Sequence, residues 1–543
     1  MFDFETSTDR PISDTIIKGV YCLRRATAIR CASLLLGFIG ASCLLVPASH
    51  AQDLLFVTKL VGSNEVPPTG SAGTGTAAVV IYPAANTMSV GVNFSGLSSG
   101  TTASHIHCCL SFPFQTNQNV MVATTTPTFP GFPLGVTAGN YAMTFNLLNP
   151  ASYNPAFITS AFNPSGTVAG AEAALVSGIA AGETYLNVHT TKFPGGEIRG
   201  FLTPVSGEAV TGAQLGAFQI MTEFLTLMTD PFVYGRTDFG GADVAPAAAV
   251  YKAPVARQAL APFEPRWTVW GGGYGASSRI TGDPVGIGSH DLSASNGGGA
   301  AGLDYHLSPY TVVGFALGGG GTDWSVAQGL GGGHSDVFQA GVYGITNFGP
   351  AYLAGSFGYA EHWMRTNRTG LGSEFATDFN AHSYGGRAEA GYHLGWPVLT
   401  VTPYAAVQAQ AFQIPSLTET TDVTATGLGF AFAGRTPTDT RSELGARFDR
   451  AVSLSSTTLL TLRAKVAWAH DWVSDPVFTG AFEMLPTAAF LVSGATPPTD
   501  LALVSAGGEL RFANRWALLA KFDGEFASHA STYGGTGTIR YSW

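Results

Sequence analysis

A two-residue periodicity that persists through the C-terminal half constrains this chain more than any other feature. In GTGTIRYSW, Gly537, Ile539, Tyr541 and Trp543 share one face of an extended strand, and Thr538, Arg540 and Ser542 the other. Upstream, Trp516, Leu518, Ala520, Phe522 and Phe526 oppose Leu519, Lys521, Asp523 and Glu525. Leu460, Leu462, Ala464, Val466 and Trp468 oppose Thr461, Arg463 and Lys465, while Leu444, Ala446 and Phe448 oppose Glu443, Arg447 and Asp449. A soluble sandwich alternates in the same way, so periodicity alone does not call for a membrane.

Three further features do. About twelve such segments follow one another, from WTVWGGGYG (267–275) to the terminal strand, with turn residues and no helical pattern between them. Aromatic residues gather near the strand ends, where an interfacial girdle needs them. After the first fifty residues no apolar run is long and charge-free enough for a spanning helix, so a membrane-embedded backbone has to close its hydrogen bonds in a barrel. Residues 266–543 are therefore expected to form a 12-stranded antiparallel transmembrane β-barrel.

This region resembles the translocator domain of the autotransporters, the type V secretion family. The resemblance rests on QAGVYG (339–344), LTVTPYAAVQAQ (399–410), ELGARF (443–448) and the terminal aromatic strand. It implies an outer-membrane barrel in contact with lipid and with the barrel assembly machinery, for which Ile539, Tyr541 and Trp543 are the expected recognition strand. It also implies a helix in the lumen ahead of the first strand, and a passenger carried to the cell surface.

The chain has 543 residues, more than one ordinary domain needs. Charged residues are only 11%, the net charge is -10, and there are 69 glycines and 35 phenylalanines, a balance that suits outer-membrane β structure and argues against nucleic acid as a partner. Residues 1–51 read as a signal peptide: Arg24, Arg25 and Arg30 precede the apolar run 31–48, and small residues lead to cleavage between Ala51 and Gln52. Removal of this segment takes Cys22, Cys31 and Cys43 and leaves Cys108 and Cys109, too few for a disulfide framework.

Residues 52–205 hold short β-type runs bounded by Gly, Pro, Asn and Ser, the pattern of a β-sandwich. The phrases LVGSNEVPP (60–68), ASHIHCC (103–109) and YLNVHTTKFPGGEIRG (185–200) resemble the CHRD domain first described in chordin, a resemblance that supplies a fold and no reaction. His105 and His107 lie two apart on one strand face that Cys109 continues, and His189 shares a face with Tyr185 and Asn187. If the two strands are neighbours, three imidazoles and a thiolate converge on copper or zinc; the His-x-His pair is similar to that of copper-zinc superoxide dismutase. The other reading is that these histidines hydrogen-bond loops and pack a corner of the sandwich. On a regular strand Cys108 and Cys109 point to opposite faces, so free thiols or pairing with another chain stand beside a bond between them. Glu197 and Arg199 in PGGEIRG read as a tight turn with a local ion pair.

Residues 206–265 are the connection, a linker with a helix that is a candidate barrel plug. Leu215, Phe218, Met221, Leu225 and Met228 recur at helical spacing, and AAAVYKAPVARQALA (247–261) is a second lumen candidate whose Lys252 and Arg257 would face Asp449, Asp523 and Glu525. No nucleophile elbow, phosphate loop or zinc-protease helix is present, so catalysis is not expected. The expectation is an outer-membrane protein that displays a CHRD-like domain for adhesion or binding to an unidentified surface ligand. The alternatives are a displayed metalloprotein and a channel with a periplasmic CHRD-like domain.

Overall fold

The computed structural model describes residues 52–111, 116–229 and 266–543. The signal segment with its Ala51 cleavage position, and the second lumen candidate at 247–261, lie outside the described residues.

The C-terminal region closes as expected. Six strands, β9 to β14 in chain order, follow eight that belong to the N-terminal unit: Trp267–Ile280, Leu292–Ser308, Thr311–Val326, Gly331–Phe348, Ala351–Gly370 and Ser373–Tyr392. Six more complete the ring: Thr400–Gln413, Thr438–Ser455, Thr458–Val473, Asp500–Phe512, Trp516–Phe526 and Ala530–Ser542. Each pairs antiparallel with its chain neighbours, and the last pairs with the first, Tyr541 opposite Val269. Backbone bonds between Trp267 and Trp543 run in both directions, at 3.2 and 2.9 Å. Every expected segment lies in one of these twelve strands.

Burial fixes the orientation of the wall. Leu444 and Val466 are each 58% exposed, whereas Glu443 is 5% and Arg447 4% exposed. The apolar face points outward and the charged face inward, the reverse of a soluble protein and the arrangement a lipid-facing wall requires. Exposed aromatics gather toward both strand ends, among them Tyr310, Phe348, Trp396 and Trp516 at one end and Trp363, Trp472 and Tyr533 at the other. No helix among the described residues is long and apolar enough to cross a membrane. Inward charges pair along the lumen wall: Arg447–Glu389 and Arg387–Glu443 at 2.7 Å each, Arg441 with Asp471 and Glu525 at 2.7 and 2.9 Å. Asp449, Asp523 and Glu525, the acids expected to meet Lys252 and Arg257, have barrel partners in Arg463, Lys521 and Arg441.

The lumen is occupied by a helix, Gly212–Thr229, the first of the two candidates; we call it α3, after two helices of the N-terminal unit, Pro155–Ile158 (α1) and Val168–Ala180 (α2). Its stripe packs against β10 to β14, and Phe224, Met221, Leu225 and Met228 share a cluster with Trp270, Tyr274 and Tyr343. Glycines make the approach possible: a Cβ on Gly341 would lie 2.7 Å from Met228 Cε, and one on Gly385 2.9 Å from Leu225 Cδ1. Gln339 Nε2 donates to the Ile220 carbonyl at 3.0 Å, and Gln408 Nε2 to Thr222 Oγ1 at 2.9 Å.

The N-terminal unit is built on one curved sheet of Leu54–Val61 (β1), Thr74–Tyr82 (β2), Thr87–Ser95 (β3), Thr101–His107 (β4), Gly139–Asn146 (β5), Tyr185–Thr190 (β6), Ile198–Phe201 (β7) and the two-residue Thr203–Pro204 (β8). The order is β4-β6-β7-β1-β2-β3-β5, with β8 on β1. One face, carrying Phe56, Ala77, Val79, Ile81 and Val90, meets α1, α2 and the long β4–β5 connection. The other, carrying Leu55, Val57, Ala78 and Val80, packs on a small sheet made from two barrel loops: Leu417–Thr418, Phe430–Phe432, Val477–Phe482 and Phe490–Ser493. Residues Ala77 to Ile81 consequently have 0% exposure, which explains why AAVVI does not alternate.

Candidate functional site

The ladder between β4 and β6 brings the three histidines together. Ala103 lies opposite His189, His105 opposite Asn187 and His107 opposite Tyr185, so His105, His107 and His189 rise from one face at adjacent positions. The ring centroids of His105 and His189 are 5.0 Å apart, and those of His105 and His107 5.8 Å. One ring nitrogen from each residue lies within 4.8 Å of the other two.

Each ring also hydrogen-bonds a loop carbonyl: His105 Nε2 to Pro127 at 2.6 Å, His107 Nδ1 to Val120 at 2.7 Å and His189 Nδ1 to Pro194 at 2.9 Å. A carbonyl only accepts, so those nitrogens carry the protons and the tautomers are fixed. The remaining nitrogens, His105 Nδ1, His107 Nε2 and His189 Nε2, are buried without a hydrogen-bond partner. Burial pushes His105 down to about 4 and His107 down to about 3, and lowers His189 as well, so all three are neutral near pH 7 with their lone pairs free. One nitrogen of each ring thus holds a loop, as the packing reading expects, and the other has no hydrogen-bond partner.

Around this cluster stand Tyr185 and Asn187 of the His189 face, Arg199, and one group that sequence reasoning did not single out, Glu65. His107 stacks on Tyr185 at 4.6 Å, and the Arg199 guanidinium lies 4.1 Å from the other residue's partner ring, that of Tyr185 itself. Close to Asn187 lies the buried carboxyl of Glu65, which burial pushes up to about 7 against the pull of Arg199 and Asn187. Glu65 lies in the LVGSNEVPP phrase; an acid held between a strand end and two prolines is the only trace it leaves in the sequence.

Two expectations are corrected here, and a third question that the sequence left open is answered. Cys109 does not join the histidines: β4 ends at His107, the alternation ends with it, and Cys109 is bonded to Cys108 beside Gly178 of α2. The pair is therefore a disulfide between neighbours, neither free thiols nor a link to another chain. Glu197 and Arg199 do not form a local ion pair. Glu197 accepts from Ser71 Oγ, Thr190 Oγ1 and the Ser98 amide, each at 2.6 Å. Arg199 donates to the carbonyls of Asn64 and Thr116 at 2.8 Å and to Asn119 Oδ1 at 3.0 Å, because β7 is buried between elements that offer those acceptors.

Comparison with known proteins places both halves. Residues 269–523 match the family model of the autotransporter beta-domain, and residues 56–202 that of the CHRD domain. Among solved structures the chain is similar to the translocator domain of the autotransporter NalP from Neisseria meningitidis, at 14% identity over 51% of this chain and 88% of that one, with a TM-score of 0.41. The beta domain of the Bordetella autotransporter BrkA matches at 17% identity over 51% and 100%, with a TM-score of 0.41. The transport unit of AIDA-I from Escherichia coli matches at 15% identity over 53% and 93%, with a TM-score of 0.34. No curated protein matches the chain.

Proposed function

From a chain that carries an autotransporter β-domain behind a CHRD domain, we infer an outer-membrane translocator that keeps its own CHRD domain seated on the barrel mouth at the cell surface, as a binding or adhesive module. The observation that carries this reading is the shared core. Leu55, Val57, Ala78 and Val80 of the CHRD domain are covered by Phe430, Phe432, Phe478, Phe482 and Phe490 of the barrel loops. Each leucine, valine and phenylalanine so covered contributes about 1.5–3 kcal/mol, and a shed domain would return them to water. Polar contacts support the seat: Lys59 Nζ donates to Thr424 Oγ1 at 2.7 Å and Ser373 Oγ at 2.9 Å, and Thr76 Oγ1 to the Thr426 carbonyl at 2.9 Å. The lumen-filling α3 weighs against the open-channel alternative.

The test is an epitope inserted in the exposed loop beside Phe162, followed by antibody labelling of intact cells with a periplasmic protein as control. Labelling of intact cells, with full-length chain in the outer-membrane fraction, is expected. Labelling only after the outer membrane is opened would place the domain in the periplasm, and a shed CHRD domain in the medium would overturn retention.

A further inference from the structure

We propose that His105 Nδ1, His107 Nε2 and His189 Nε2 are the protein ligands of one divalent transition-metal ion of the zinc and copper class. Three independent features lead there. One ring nitrogen of each histidine lies within 4.8 Å of one from the other two, and each ring has one buried nitrogen with no hydrogen-bond partner. An orphaned buried polar atom costs about 1–3 kcal/mol, so three pointing at one place are a standing expense that a shared cation removes. The opposite nitrogen of every ring donates to a backbone carbonyl, at Pro127, Val120 and Pro194, which is how proteins fix the orientation and tautomer of a metal-bound imidazole.

The donor set selects the metal. Three neutral imidazoles with no carboxylate among them do not suit calcium or magnesium, which take oxygen ligands. No thiolate is available, since the cysteines next in the chain are bonded to each other. Imidazole suits zinc and copper, as well as nickel and iron, and three histidines are a known zinc set. Metal–nitrogen bonds of about 2.0–2.1 Å at tetrahedral angles set the nitrogens about 3.3 Å apart, a contraction that small ring rotations on two adjacent strands supply. A three-histidine site leaves a fourth position for water or an external ligand.

This inference does not depend on where the domain is displayed, and its test uses the full chain extracted from outer membranes into detergent. The protein is stripped with a chelator and titrated with Zn2+ and, separately, Cu2+ against a chromophoric competitor. One equivalent is expected, with affinity falling at least about 100-fold in each of His105→Ala, His107→Ala and His189→Ala and unchanged in His290→Ala, whose ring instead pairs with Glu208 at 2.8 Å. Wild-type protein that binds no stoichiometric metal, or binding that survives all three substitutions, overturns the proposal. Because a variant that misfolds would also lose metal, X-ray absorption of the loaded wild type provides a second reading. A shell of nitrogen with one light solvent atom is expected; a sulfur ligand or an all-oxygen shell overturns the assignment.

Discussion

At the scale of single residues, Glu197 reads in the sequence as half of a local ion pair and is instead held by hydroxyls and an amide. Burial alone would raise its carboxyl, but the Ser71 and Thr190 hydroxyls and the Ser98 amide outweigh burial and hold it below the usual carboxylate range. A depressed folded value stabilises the protein above the unfolded value and is lost as pH falls through the folded one. CHRD-domain stability is therefore expected to decline as the pH drops below the ordinary glutamate range. Glu197→Gln should flatten that decline and cost about 2–4 kcal/mol at neutral pH, read from denaturant melts followed by a CHRD-domain probe. The histidine pair was legible because alternation places residues two apart on one face. That β4 lies beside β6, and that Glu65 comes near, was not legible, because strand neighbours distant in sequence leave no local periodicity.

At the scale of elements, the barrel strands were the most legible part, since lipid outside and charge inside write opposite chemistry onto alternate positions. The same physics left β2 legible only as an unbroken apolar run, because its two buried faces erase the alternation. The lumen glycines were visible as composition but not as a docking track, because Gly341 and Gly385 take their meaning from the helix opposite. Gly341→Leu is expected to push α3 from its seat at a cost of about 1–3 kcal/mol and to raise ion conductance in planar bilayers, where the wild type should be nearly closed. Equal conductance in the two proteins would mean that α3 does not seal the lumen. The closing strand makes its own prediction. Tyr541 packs on Trp516 at 4.9 Å, and Ile539 faces outward opposite Leu518. Substituting alanine at Ile539, Tyr541 and Trp543 together should reduce the folded, heat-modifiable barrel several-fold on unheated gels, and unaltered barrel levels would remove these residues from the assembly signal.

At the scale of the whole molecule, the two halves are legible separately and their union is not. The mouth sheet consists of strands as short as two residues within barrel loops, below what a hydrophobic pattern resolves. Phe430 is its centre, within 5.1 Å of Phe482 and Phe490 and 3.9 Å from the Arg368 guanidinium. Phe430→Ala should cost about 3–5 kcal/mol of the joint core and let protease clip the CHRD domain free near Ser206 in isolated outer membranes, while the wild type stays intact. The helix in the lumen carries a mechanical consequence. On the proposed display, a pull on the CHRD domain would run through residues 206–211 into α3. Side chains wedged into glycine gaps along the barrel wall would resist that force, so grip would be set by the fit of a rod in a sleeve more than by the lipid around it.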